Sequence, residues 1–184
     1  METPMKIVMI EDDLAEVARF SAYFETEEDM ELVAAADGAV QGFEAVVANC
    51  PDVVLLDLEL KEGNGIQLLP KIKSLENCPY VVVTTLTTDP VTIKSVRGEG
   101  AGYVQSKTME GYAENGPKIV ADFLRAMRPY FGNTPKVQLD AAGELMDPVR
   151  IRRRQISETL GRIGITAGNF SHGYLLESIL IAAG

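Results

Sequence analysis

The chain has 184 residues, 46% hydrophobic and 24% charged, with a formal net charge of −10 at pH 7; this is the composition of a globular protein with room for one sizeable domain and a smaller element. No apolar run approaches the roughly 20 residues that span a membrane, and Lys6 and Glu11 interrupt the N-terminal run before it could act as a secretory signal, so the cytoplasm is the expected compartment. Cys50 and Cys78 form no CxxC pair and His172 is the single histidine, which argues against zinc, a disulfide framework and Ser–His or Cys–His catalysis.

The first element is a short apolar strand, Met5 to Ile10, followed at once by Glu11-Asp12-Asp13. Asp13 can also cap the next helix, from about Leu14 to Phe24, because its carboxylate accepts from free N–H groups of a first turn. Glu31 to Ala35 is a second strand, and Asp37-Gly38 starts a helix with Val40, Phe43, Val46 and Val47 at helical spacing. Val53-Val54-Leu55-Leu56-Asp57 reads as a strand buried on both faces that ends on one carboxylate. Gly63-Asn64-Gly65 is a loop with two turn glycines. A helix from about Ile66 to Ser74 contains Pro70. Tyr80 to Thr85 is a fourth buried strand, and Pro90 opens a helix to about Arg97. Tyr103-Val104-Gln105 is a short fifth strand leading to Ser106-Lys107. An amphipathic helix covers about Pro117 to Tyr130.

Strand and helix thus alternate five times, which implies an α/β fold with a parallel sheet covered by helices on both faces. Parallel strands bring their C-terminal ends to one edge, where open α/β sheets bind ligands. Glu11, Asp12, Asp57, Thr84 or Thr85, and Lys107 therefore meet in one crevice. Three carboxylates at close range favour a hard cation, and Mg²⁺ suits oxygen ligands. A lysine and a hydroxyl beside a carboxylate nucleophile are what phosphoryl transfer needs.

Ile10-Glu11-Asp12-Asp13, Pro51 to Leu58, Gly63-Asn64-Gly65 and a lysine after a Gly-Tyr strand resemble the receiver domain of two-component response regulators. The resemblance covers about residues 5–130 and implies a doubly wound, flavodoxin-like (βα)5 fold in a receiver domain of residues 1–130. It implies Asp57 as acceptor of a phosphoryl group from a histidine kinase or phosphotransfer protein, with slow autodephosphorylation and no further enzymatic activity. It implies Mg²⁺ held by Asp12, Asp57 and the Glu59 backbone carbonyl, with Glu11 acting largely through water. Thr85 is the implied switch hydroxyl and Lys107 the phosphate-contacting ammonium. The face formed by helix 4, strand 5 and helix 5 is the implied relay and homodimer surface. Two departures stand out. Leu86 follows Thr85 where a small residue is usual. One residue more than usual separates Gly102-Tyr103 from Lys107; a bulge would absorb it, and Val104 rather than Tyr103 holds the switch-aromatic distance.

Residues 131–147 read as a linker and 148–184 as a helical segment. Residues 1–130 carry 11 basic and 22 acidic side chains, whereas 131–184 carry 6 and 5, so DNA contact is expected only from the C-terminal part. There Arg150, Arg152, Arg153 and Arg154 cluster, either as a solvated face or as phosphate contacts. Ile156 to Leu160, Gly164-Ile165-Thr166 and Gly173 to Ile179 resemble the opening of the DNA-binding domain of the sporulation master-regulator family. That likeness implies transcription regulation through an output domain cut short at Gly184. Two rival readings are a receiver-fold interaction module that works without phosphate, and an aspartate-nucleophile phosphohydrolase. Glu59 stands where the latter usually has a second aspartate.

Overall fold

The computed structural model describes residues 3–131; the expected linker and helical segment lie outside them. Five strands, β1 (Met5–Ile10), β2 (Met30–Ala36), β3 (Val53–Asp57), β4 (Tyr80–Thr85) and β5 (Tyr103–Ser106), alternate with α1 (Leu14–Phe24), α2 (Ala39–Asn49), α3 (Gly65–Lys73), α4 (Pro90–Gly98) and α5 (Tyr112–Met127), and a turn of 3-10 helix closes at Arg128–Tyr130. The sheet order is β2-β1-β3-β4-β5, and every pairing is parallel. This is the doubly wound (βα)5 arrangement.

Strand alternation builds two cores. Met9, Val53, Leu55 and Val82 face α1 and α5, where Phe20, Phe24, Val120 and Leu124 meet them. Val8, Val54, Leu56 and Val83 face α2, α3 and α4, against Val46, Leu69, Ile72 and Val96. All five residues of β3 are buried, as its unbroken apolar run requires. Asp57 therefore ends the most enclosed strand, between β1 and β4. Among the described residues no helix is long and apolar enough to cross a membrane.

Local chemistry sets the boundaries. Asp13 caps α1 by accepting from Ala15 N at 2.9 Å, and Asn64 and Asp89 cap α3 and α4 in the same way. Gly38, not Asp37, caps α2, without a side-chain bond. Three expectations need correcting. The last helix begins at Tyr112 rather than Pro117, because Gly111, at φ 80°, turns the chain into it and Asn115 N already bonds Gly111 O at 2.9 Å. The extra residue before Lys107 is not absorbed by a bulge: β4 and β5 pair without interruption from Val82–Tyr103 to Thr85–Ser106. Gly65 is more than a turn residue. A Cβ there would lie 2.1 Å from Asp57 O and 2.8 Å from Leu58 Cα, so α3 packs its first residue directly on the backbone that carries Asp57. Gly63, at φ +91°, is the true turn glycine.

Arg125 of α5 ties down the loop before β2, donating to Asp29 at 2.7 and 2.8 Å and to Glu27. The Arg125 hydrogen bond holds the Asp29 carboxyl below its ordinary range. Its stabilisation is full above the unfolded value and disappears as pH falls through the folded one.

Gly65→Ala is expected to lose at least about 1–3 kcal/mol by overpacking. Gly98→Ala, where nothing lies within 4 Å of the new Cβ, gains up to about 1 kcal/mol from helix propensity; urea unfolding of the two variants measures both. Asp29→Asn lowers stability by at most about 1 kcal/mol at pH 7, since the pair is partly exposed, and the difference from the parent vanishes in strong acid.

Candidate functional site

Glu11 follows β1 and is still laddered to β2 through Glu11 N to Ala36 O at 2.9 Å. Asp12 is the next residue, Asp57 ends β3, and Lys107 follows β5 with its N–H on Thr85 O at 2.8 Å. The backbone thus delivers the four charged groups to one edge of the sheet, as the strand order predicts. Carboxylate oxygens of Glu11, Asp12 and Asp57 all lie within 4.8 Å of one another.

One ammonium bridges two of these three carboxylates. Lys107 Nζ donates to Glu11 Oε2 at 2.6 Å and to Asp57 Oδ2 at 2.9 Å. Asp57 Oδ1 accepts from Glu59 N at 3.1 Å. Glu11 Oε1 accepts from Asp13 N at 3.2 Å. Asp12 Oδ2 accepts from Lys61 N at 3.1 Å and pairs with the exposed Lys61 ammonium at 3.3 Å. Glu11 is 1% and Asp57 5% exposed, so water screens neither well. Burial, only partly offset by Lys107, raises the Glu11 carboxyl to about 7. Burial also works against the Lys107 charge, but its hydrogen bonds to Glu11 and Asp57 and their negative charges outweigh that, and its pKa rises.

The hydroxyls divide. Thr85 is fully buried, and its Oγ1 accepts from Thr87 N at 3.0 Å. Thr84 pairs in register with Asp57, and its buried Oγ1 has no hydrogen-bond partner. Leu86 is 57% exposed, so its side chain points largely to solvent. Tyr103 packs toward α5, its ring stacked on Phe123 at 4.1 Å, whereas Val104 packs with the α4 side of the core. A cleft of about 310 Å³ between α2 and α3, floored by Phe43 and Leu68, is lined by none of these groups.

Sequence reasoning missed three contributors. Lys61 reaches Asp12 across 49 residues. Glu16, buried in α1, accepts from the Tyr112 hydroxyl at 2.7 Å, and Arg19 donates to Glu16 at 2.6 Å and to Tyr112 O at 3.0 Å. This clamps the start of α5, just beyond the Lys107 loop. Gln105, 1% exposed, accepts from the Tyr103 hydroxyl at 3.0 Å and donates to Ser106 O at 3.0 Å. Only Gln105 left a trace in the sequence, as a polar residue inside a strand.

The model of the response regulator receiver domain matches residues 7–111, which include every one of the charged site residues. The chain belongs to that family. The receiver domain is 32% identical over 87 residues to protein-glutamate methylesterase/protein-glutamine glutaminase 2 of Vibrio vulnificus, covering 47% of this chain and 25% of that protein. It is 25% identical over 166 residues to the corresponding Gluconobacter oxydans protein, covering 90% of this chain and 44% of that one. The chain thus spans less than half the length of either relative. Among solved structures, the response regulator domain of Thermotoga maritima CheB superposes with a TM-score of 0.59 at 20% identity, covering 68% of this chain and 98% of that one; this likeness shows the fold.

The raised Glu11 carboxyl gives the receiver a testable pH dependence. Between about pH 4.5 and 7 the folded state keeps a proton that the unfolded chain releases, so this group lowers stability as pH rises through that window. In metal-free buffer Glu11→Gln is expected to flatten the fall in urea midpoint between pH 5 and 8. An unchanged slope would show that Glu11 is ionised throughout.

Proposed function

We propose that this receiver is the input half of a two-component response regulator and that Asp57 accepts a phosphoryl group from a phosphohistidine of a histidine kinase or phosphotransfer protein. The observation that carries the reading is the buried Asp57 carboxylate fixed by Lys107 on one oxygen and the Glu59 N–H on the other. One carboxylate oxygen attacks phosphorus, the P–N bond to the donor imidazole breaks as the P–O bond forms, and the imidazole keeps the electron pair. The product is an acyl phosphate. Lys107 then turns from the carboxylates to the phosphoryl oxygens, whose charge it offsets. Of the two β4 hydroxyls the sequence offers, Thr84 is in register with Asp57 and is the one positioned to donate to that group, whereas Thr85 lies on the other face with its Oγ1 accepting from Thr87 N. Shifts at the end of β4 would pass to α4, β5 and α5, the proposed relay and homodimer face.

The three-carboxylate, all-oxygen donor set fits Mg²⁺. Asp12, Asp57 and the Glu59 carbonyl would hold it, with Glu11 acting through water, and it would supply charge neutralisation at the phosphoryl group. A cytoplasmic location accords with this chemistry.

The phosphate-free module is disfavoured, since its two motives lapse. Leu86 is exposed rather than filling the site, and Lys107 reaches Asp57 with no bulge. For the output, two readings stand. Residues 148–184 carry the DNA-binding likeness. The alignment over 166 residues with a protein named as a methylesterase/glutaminase favours a hydrolase output instead. Gel shift against DNA and hydrolysis of a protein-glutamate methyl ester, each by the complete natural protein, discriminate them.

Incubation with Mg²⁺ and acetyl phosphate, followed by intact mass, is expected to show one phosphoryl adduct that Asp57→Asn abolishes. Lys107→Met is expected to slow its formation at least about 100-fold, the usual effect of deleting a preorganised charge at a reacting centre. An unmodified parent protein would refute the reading.

A further inference from the structure

A helix on the outside of a domain turns charged and polar residues to water. α2 does so only in part. Glu44 is the single charged residue of the helix, whose sequence is AVQGFEAVVAN, and Val40 and Val47 flank it at i, i+4, i+7, which sets the three in one stripe. Both valines are exposed, Val40 by 70%. Beside this stripe lies the cleft of about 310 Å³ between α2 and α3, lined by Val40, Phe43 and Leu68 together with Glu44 and Lys71. Gly63 lines it too, and the exposed Glu62 next to Gly63 accepts from Ala39 N through its carbonyl at 2.9 Å. Gly38 pairs with Glu62, and the exposed Asp37 precedes Gly38. An apolar cleft thus carries carboxylates at its Gly63 end and along α2.

This charge decides what fits the cleft. Residues 1–130 hold 22 acidic side chains against 11 basic ones, so a second copy of the domain is repelled. The matching chemistry is a basic segment with an apolar stripe at helical spacing, as in grooves that take an amphipathic helix. The chain carries such a segment. Between Arg150 and Ile163 stand Arg150, Arg152, Arg153, Arg154 and Arg162 against a single acidic residue, Glu158, while Ile156, Leu160 and Ile163 recur at i, i+4, i+7, the same spacing as the α2 stripe. The stretch from Phe131 to Arg150 spans up to about 60 Å when extended, whereas a domain of this size has a radius of gyration of about 14 Å. The connection therefore reaches any face of the receiver.

We propose that residues 150–163 dock in cis into the cleft between α2 and α3, with Ile156, Leu160 and Ile163 against Val40, Phe43 and Leu68, and the arginines toward Glu44, Glu62 and Asp37. Docking removes two apolar stripes from water and offsets part of the acidic excess of the receiver. It also occupies the arginine cluster, so the receiver competes with any nucleic-acid phosphate for those side chains. The contact needs no phosphoryl group on Asp57 and stands apart from the acceptor reading.

The test is limited trypsin digestion of the full chain, with cleavage after Arg150, Arg152, Arg153 and Arg154 followed by mass. Cleavage of this kind tracks the population of the open form. The variants are Val40→Glu, Leu160→Glu, the two combined, and Val91→Glu, which alters an equally exposed valine (75%) on α4. Val40→Glu and Leu160→Glu are each expected to speed cleavage at least about fivefold, the scale of losing one modest contact, and the combined variant to be no faster than either. Val91→Glu is expected to match the parent. Exposed substitutions of this kind change stability little, and should Val40→Glu nevertheless lower the melting temperature, Leu160→Glu, which leaves residues 1–131 untouched, carries the comparison alone. Parent-like cleavage in Leu160→Glu, or additive acceleration in the combined variant, would overturn the proposal. So would acceleration by Val91→Glu, which would seat the segment on α4, and cleavage of the parent that quickens on dilution, which would give the cleft to a second copy.

Discussion

The Lys107 ammonium, shared between Glu11 and Asp57, is the contact on which the candidate site depends. It joins residues 96 and 50 positions apart in the chain, and it lies where three carboxylates would otherwise repel one another with little water to screen them. Breaking a buried ion pair by removing one partner is strongly destabilising, because the other charge is left uncompensated. Lys107 and the exposed Lys61, which pairs with Asp12, still leave the three carboxylates with an excess of negative charge. Burial, which Lys107 only partly offsets, raises the Glu11 carboxyl, and the unbalanced negative charge makes the site receptive to a further cation. The same imbalance makes Lys107 movable, since a phosphoryl group carries more charge than the carboxylate it would replace as partner.

The scaffold holds this charge arrangement by packing, away from the reacting atoms. β3 is buried along its whole length, and α3 starts directly against the Asp57 carbonyl because Gly65 has no side chain. On the opposite flank, the Glu16–Arg19–Tyr112 network fastens α5 just after the loop that carries Lys107. Asp57 and Lys107 are thus each anchored by a separate element, and neither anchor needs to move for Lys107 to turn.

The fold and the charged site were legible because their signals are local. Short apolar strands ending in carboxylates repeat at regular spacing, and a parallel sheet converts those strand ends into neighbours. Glu11, Asp12, Asp57 and Lys107 come together as the strand order implies. What was not legible depends on long-range contact or backbone detail. The amphipathic face that is readable from Pro117 onward does not mark the start of α5, because Gly111 and the Tyr112 anchor begin it earlier. The spare residue before Lys107 looked like a bulge, yet the pairing is unbroken and Tyr103 simply takes the α5 side. Gly65 read as a turn because its close approach to Asp57 is visible only in three dimensions. The unpaired Thr84 hydroxyl depends on which face each of two adjacent threonines takes, and the sequence names both.

The central claim is that Asp57, held by Lys107, carries the phosphoryl group. Borohydride reduction of the acetyl phosphate-treated protein, followed by peptide mapping, tests it most directly, because an acyl phosphate on aspartate is reduced to homoserine. Homoserine at position 57 alone is the predicted result; homoserine at another carboxylate of the cluster, or at none, would contradict the account.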